Sequence, residues 1–192
     1  MYRRLIEHLK SWKESQNRKP MILRGARQVG KTWLMKEFGR TCYKKCAYIS
    51  MDENEVMEEV FRDAFDISRI ITALEIAVGF QIEPGNTLII FDEVQEIPRA
   101  LKALKYFCEN APEYHVIAAG SLLGVALHEG TSFPVGKVEF CDLYPMDFWE
   151  FLKACGEDGL ADLLTARDYG LISDFKNKYM DYLKYYYYVG GM

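Results

Sequence analysis

The sequence predicts an α/β domain in which helices cover both faces of a parallel sheet. Three observations carry this. Met21-Ile22-Leu23 is a short apolar run that leads through a glycine-bounded loop into a helical segment, Thr32 to Phe38. Leu88-Ile89-Ile90-Phe91 has four apolar residues in a row, as a strand buried on both faces would, and it ends in Asp92-Glu93. Strand-like and helical stretches then alternate as far as Gly120.

The loop between the first strand and helix reads Gly25-Ala26-Arg27-Gln28-Val29-Gly30-Lys31-Thr32. It fits G-x-x-x-x-G-K-S/T, the pattern of a loop that cradles phosphates. Its glycines let backbone N–H groups converge on an anion, and the following helix N-terminus adds positive potential. Lys31 is expected to reach the β- and γ-phosphates and Thr32 to ligate Mg²⁺, while Arg27 is a further phosphate contact. The expected binding segment is Gly25, Ala26, Arg27, Gln28, Val29, Gly30, Lys31, Thr32 and Trp33. Some 60 residues on, Asp92 is expected to hold Mg²⁺, directly or through water, and Glu93 to act as general base toward water. Gln95 fits either a γ-phosphate contact or a solvent-facing position. Ser121, after the next strand, fits either a sensor of the γ-phosphate or a helix N-cap.

Composition narrows the class. The 192 residues are 49% hydrophobic, enough for one domain and a small appendage without disulfides or metals. No run is long and apolar enough to span a membrane, and the charged start MYRRLIEHLK has no export core, which predicts the cytoplasm. Five cysteines form no C-x-x-C pair and are expected as reduced, mostly buried thiols. His8, His115 and His128 show no ligand spacing and are expected to be structural. The net charge of −4 divides into +10 for residues 1–45 and −14 for the rest. That asymmetry fits a polyphosphate site, a nucleic-acid surface, or halves that neutralise each other on folding.

Along the chain, Leu5, Ile6, Leu9 and Trp12 share one face of a helix over 2–16. The helix after the loop is expected to end near Gly39. A second strand covers Ala47 to Ser50, with a start as early as Tyr43. The acidic stretch Asp52 to Glu59 lacks calcium-loop spacing and reads as a solvated loop and helix. A helix over Ile67 to Val78 and a turn at Pro84-Gly85-Asn86 precede the strand at 87–93. Pro98 opens a helix to about Glu109, and Glu113 to Ala119 forms the next strand. Val138 to Leu143 alternates as a strand, Pro145 opens a helix, and a polar stretch from Gly156 to Asp168 leads to a final helix whose tyrosines are expected to pack. The division expected is a core over 1–130 and a strand-and-helix, lid-like region over 131–192.

Four segments together resemble a known group: Arg24 to Thr32, Phe91-Asp92-Glu93-Val94-Gln95, Gly120-Ser121, and the run FPVGKVEFCDLYPMDFWEFL from Phe133 to Leu152. With the tail Tyr188 to Met192, they resemble the prokaryotic ATPases of the AAA+ superfamily that carry an uncharacterised C-terminal domain. The resemblance implies a three-layer P-loop NTPase fold of about five parallel strands, with the Asp92 strand between the loop strand and its neighbour. It implies ATP as the nucleotide and a nuclease-like C-terminal domain, while the aromatic-rich final segment itself is expected to belong to a longer protein or to meet a partner, a homo-oligomer being one such case. Members carry arginine after the glycine of the P-V-G segment; here Lys137 stands there, and lysine lacks the planar fork that bridges phosphate oxygens.

Two functions follow. One is an Mg²⁺-dependent ATPase that converts nucleotide state into conformational change. The other is a nucleotide-gated binding module with little hydrolysis, acting with a C-terminal domain on nucleic acid. A GTPase fits less well, because Asn177-Lys178-Tyr179-Met180-Asp181 places the acid of N-K-x-D one residue late. A small-molecule kinase fits less well too, since an adjacent Asp-Glu pair suits water activation.

Overall fold

The computed structural model describes residues 2–62, 65–120 and 136–191. It divides into a larger unit, Glu7–Leu143, and a smaller one made of Met1–Ile6 with Tyr144–Met192. No helix among the described residues is long and apolar enough to cross a membrane.

The larger unit is built on five parallel strands: β1 (Met21–Arg24), β2 (Lys45–Ser50), β3 (Thr87–Asp92), β4 (His115–Gly120) and β5 (Glu139–Asp142). Their spatial order is β2-β3-β4-β1-β5. The expected neighbours differ here: β4, not β3, lies beside β1. β3 and β4 are buried along their whole length, which is why both read as unbroken apolar runs. Helices α1 (Leu5–Glu14), α2 (Lys31–Cys42), α3 (Glu55–Arg62), α4 (Ile67–Val78) and α5 (Pro98–Asn110) accompany them. Within the core, Phe61, Phe91 and Phe107 meet with Ile70, Leu74, Ile89 and Leu104.

Helix α2 leaves the loop after β1 and packs over β4, β3 and β2 in turn. That crossing carries its first turn above the end of β3. It does not stop at Gly39 but continues to Cys42. Gly39 is a packing residue: a Cβ there would come within 2.6 Å of Cys46 Sγ, so glycine lets the helix lie close on β2. The helix ends at Tyr43, in extended conformation.

The smaller unit holds α6 (Phe148–Ala154), α7 (Asp158–Ala166), α8 (Tyr169–Asp174) and α9 (Lys176–Val189). Asp147 caps α6 by accepting from Glu150 N–H at 2.7 Å. The stretch expected to be merely polar contains α7, whose Leu160 and Ala161 pack with Leu152 and Tyr179. Arg3 and Glu150 form a buried ion pair at 3.4 Å, and Glu150 also accepts from Arg4 N–H at 2.8 Å. The final tyrosines are split. Tyr179 is buried, and Tyr186 packs on Phe148 and Phe151. Tyr185, Tyr187 and Tyr188 are exposed, against the expectation that the set packs, because a single helix turns only one face inward.

Of the cysteines, all five are free and only Cys141 is buried; Cys155 is exposed and the rest are half-buried, so burial is less than expected. His115 is structural, with Nδ1 2.7 Å from the Tyr43 hydroxyl.

Candidate functional site

A cavity of about 590 Å³ opens at the end of the sheet where β1 and β3 finish. Arg27, Gln28, Gly30, Lys31, Thr32 and Trp33 line it from the loop and the start of α2, and Asp52, Glu93, Gln95 and Glu96 from the opposite side. Its volume lies within the range of small-molecule sites.

The loop geometry follows from its residues. Gly30, at φ 93, caps α2 in a left-handed conformation. Gly25 is required for a different reason. A Cβ there would sit 2.4 Å from the Leu143 carbonyl oxygen, so only glycine permits this approach of the loop to the chain after β5. Gln28 also has positive φ, 66, without glycine's freedom. Val29 is buried beside Gly25 and fixes the loop from below. Gly25, Ala26 and Val29 thus shape the loop without lining the cavity, whereas the other six expected binding residues line it.

Lys31 is buried, and its Nζ donates to the carbonyls of Gly25 and Ala26, both at 2.8 Å. Burial draws its pKa below the ordinary value, against the opposing pull of Glu93 and Asp92. A phosphate entering the cavity would supply the charge that this ammonium lacks at its carbonyl partners.

Asp92, 3% exposed, stands behind the cavity wall. Thr32 Oγ1 donates to its Oδ2 at 2.6 Å and Tyr48 Oη donates to the same oxygen at 3.0 Å. Glu93 N–H donates to Oδ1 at 3.1 Å. With its proton committed to Asp92, Thr32 keeps oxygen lone pairs for a cation. A hydroxyl and a carboxylate are hard donors that suit Mg²⁺, which takes few protein ligands and completes its shell with water and phosphate oxygens. No group of three His, Cys, Asp or Glu that could hold a metal ion is present among the described residues.

Tyr48 is a partner of Asp92 that the sequence did not reveal. β2 pairs with β3 so that Ser50 lies opposite Asp92 and Tyr48 opposite Ile90, one face of the sheet carrying all of them. That register is a tertiary fact, and only alternation along 47–50 hinted at it. Burial and the Asp92 carboxylate push the Tyr48 hydroxyl up to about 12, so it stays a proton donor. Lys36 Nζ lies 3.6 Å from the centre of its ring.

Glu93 begins a sharp turn, with φ 52 and ψ 44, and the 3₁₀ turn Val94–Glu96 follows. Two of the four non-glycine residues with positive φ among those described, Gln28 and Glu93, therefore line this one cavity. Local strain of that kind collects at functional sites. Gln95 Nε2 donates to Glu93 Oε2 at 2.7 Å, and the half-buried Gln95 lines the cavity. Ser121 lies outside the described residues, as do residues 133–135 of the distinctive run.

The remaining cations have partners elsewhere. Arg24 makes a two-pronged pair with Asp142, at 2.8 Å for each bond, and stacks on Phe140. Arg99 donates to the Phe61 carbonyl at 2.7 Å. Lys137 pairs with Glu109 at 2.9 Å, and that carboxylate holds its pKa above the ordinary value. Lys178 of the near-match to N-K-x-D pairs with Glu157, and Tyr179 beside it is buried, so that segment serves helix packing.

A family model described as AAA domain matches residues 17–152. No curated protein matches the sequence. Among solved structures, the Drosophila ORC bound to DNA is similar with a TM-score of 0.57 at 16% identity, over 96% of this chain and 56% of that one. The Walker-type ATPase PABY2304 of Pyrococcus abyssi is similar with a TM-score of 0.49 at 17% identity, over 79% of this chain and 58% of that one. The Aeropyrum pernix ORC1 protein in complex with DNA gives 0.48 at 14%, over 86% and 53%. The chain thus spans 53–58% of the length of these structures.

Proposed function

This chain belongs to the AAA domain family, and from that premise we propose that it binds ATP with Mg²⁺ and hydrolyses it. The observation that carries the proposal is the meeting of Lys31, Thr32 and Glu93 around one cavity, with Asp92 bonded to Thr32 behind it. In this reading the loop from Gly25 to Thr32 holds the phosphate chain and Lys31 turns from its carbonyl partners to the β- and γ-phosphates. Thr32 and Asp92 would hold Mg²⁺, which supplies neutralisation of phosphate charge when bound. Glu93 accepts a proton from water; the water oxygen bonds to the γ-phosphorus. The bond from that phosphorus to the bridging oxygen breaks, its electron pair leaving with ADP. The turn at Glu93 and the loop at Gln28 both line the cavity, so contacts they make with the γ-phosphate would be lost with it, and that loss would pass nucleotide state to the rest of the chain.

Turnover of the wild-type protein and of Glu93→Gln tests this. Glu93→Gln is expected to lose at least a hundredfold in kcat while ATP still binds. Equal turnover in the variant would remove Glu93 from the base role.

A nucleic-acid role finds less support in the distribution of charge. Arg3, Arg4, Arg24 and Lys45 of the basic first quarter pair with Glu150, Asp147, Asp142 and Glu83 of the rest of the chain. Internal neutralisation accounts for these without a polyanion.

A further inference from the structure

We infer that Trp33 stacks on the base of the bound nucleotide; the inference rests on the reading of the loop from Gly25 to Thr32 as a phosphate site. Trp33 lines the same cavity as Lys31, Thr32 and Glu93, and among the described residues it brings the only aromatic ring to that lining.

The two other tryptophans show how this fold holds an indole when it serves packing. Trp12 donates its ring N–H to the Lys19 carbonyl at 2.8 Å, and its ring meets Phe38, His115 and Arg18. Trp149 donates to Thr165 Oγ1 at 2.9 Å, and its ring meets Tyr2, Arg4 and Lys153. Trp33 has neither kind of partner: its indole makes no hydrogen bond, ring stack or cation contact among the described residues. It is half-buried, next in sequence to Leu34 and Met35, which α2 buries in the core. A large flat apolar surface turned into a polar cavity, with no ring against it, suits a flat ligand group.

Its place in the helix says which group. Thr32 turns its hydroxyl to Asp92, the side of the proposed metal and γ-phosphate. Successive helical residues point about 100° apart, so Trp33 points off that side. In a nucleoside triphosphate the base lies at the opposite end from the γ-phosphate. Indole carries no charge for a phosphate, whereas every nucleobase offers it a π-face. Stacking there strengthens the hold on the nucleoside and leaves the phosphates to the loop.

Calorimetric titration of ATP and of inorganic tripolyphosphate, each with Mg²⁺, into wild type, Trp33→Ala, Trp33→Phe and Lys31→Ala tests the assignment. Trp33→Ala is expected to bind ATP at least about fivefold more weakly, the loss of one stacked base, while its affinity for tripolyphosphate holds. Trp33→Phe keeps a ring and loses less. If alanine prevents folding, Trp33→Leu, apolar but without a ring, carries the same reading. Wild-type affinity for ATP in the alanine variant overturns the inference. An equal loss toward ATP and tripolyphosphate overturns it too, since the indole would then only support the loop. So does wild-type protein that takes tripolyphosphate but no ATP. Binding of neither ligand to wild type, or undiminished binding of both to Lys31→Ala, overturns the phosphate site and this inference with it.

Discussion

The Thr32 hydroxyl donates to Asp92 Oδ2 at 2.6 Å, joining the first turn of α2 to the end of β3 across sixty residues of sequence. The contact exists because α2 crosses β4 on its way to β2, so a residue that follows β1 in sequence stands above β3. A single bond thereby ties the end of the glycine-bounded loop to the acidic strand end.

Tyr48 donates to that same oxygen, and its loss tests whether outer partners tune the site. Tyr48→Phe keeps the ring and its contact with Lys36 but removes the hydroxyl. Carboxylates that have lost such a partner hold metal about 10–100-fold less well. The Mg²⁺ concentration for half-maximal turnover is expected to rise by at least about tenfold, with the thermal midpoint little changed. A metal requirement equal to wild type would reduce Tyr48 to a packing residue.

Gly39→Ala sets two effects against each other. Alanine gains about 1 kcal/mol in helix propensity, but a Cβ 2.6 Å from Cys46 Sγ overpacks the helix–sheet contact, which costs about 1–3 kcal/mol. The packing loss is expected to win, so that the variant is less stable in urea. In a Cys46→Ala background the same substitution should cost less. A stabilised single variant would show that the sheet yields.

The loop, both ends of the Asp92 strand and the alternation of elements were legible because each rests on local chemistry: glycine, a Lys-Thr pair, an apolar run that ends in acids. Gly39 was misread for the same reason, since a glycine late in a helix looks like its end when the neighbour at Cys46 is unknown. The order of strands, the role of Tyr48 and the place of Gln95 depend on register and on the turn at Glu93, which no local pattern encodes. Helix α7 was missed because its acids and exposed positions masked Leu160, Leu163 and Leu164, whose spacing is helical.

His115 gives a pH dependence. Burial, with Arg18 and Lys13 nearby, lowers its pKa to about 4, against about 6.5 in the unfolded chain. The unfolded state therefore binds the extra proton between those values, and stability falls as pH drops from about 6.5 toward 4. The loss is expected to approach ~2–3 kcal/mol. Urea unfolding at pH 7.5 and 5 should show part of it, and His115→Gln should flatten the difference. Equal slopes for the two proteins would assign the acid sensitivity to other groups.

Arg3 and Glu150 make a buried pair within the smaller unit. Glu150→Ala takes the carboxylate away from a buried guanidinium that also donates to the Tyr144 carbonyl, and is expected to cost up to about 3–5 kcal/mol. Unfolding by urea, followed through the tryptophan of α6, measures it; a loss below about 1 kcal/mol would mean that water reaches the guanidinium.

Internal pairing of the basic first quarter predicts weak DNA binding with a shallow salt dependence. Titration of a short duplex at two salt concentrations checks this, and a fall of about a thousandfold or more between 50 and 200 mM salt would instead indicate many phosphate contacts.

The most direct measurement is calorimetric titration of ATP with Mg²⁺ into the wild-type protein and into Lys31→Ala. The account predicts saturable heat for wild type and at least tenfold weaker binding for the variant. No heat with wild type, or equal affinity in the two, would contradict a phosphate site built on Lys31.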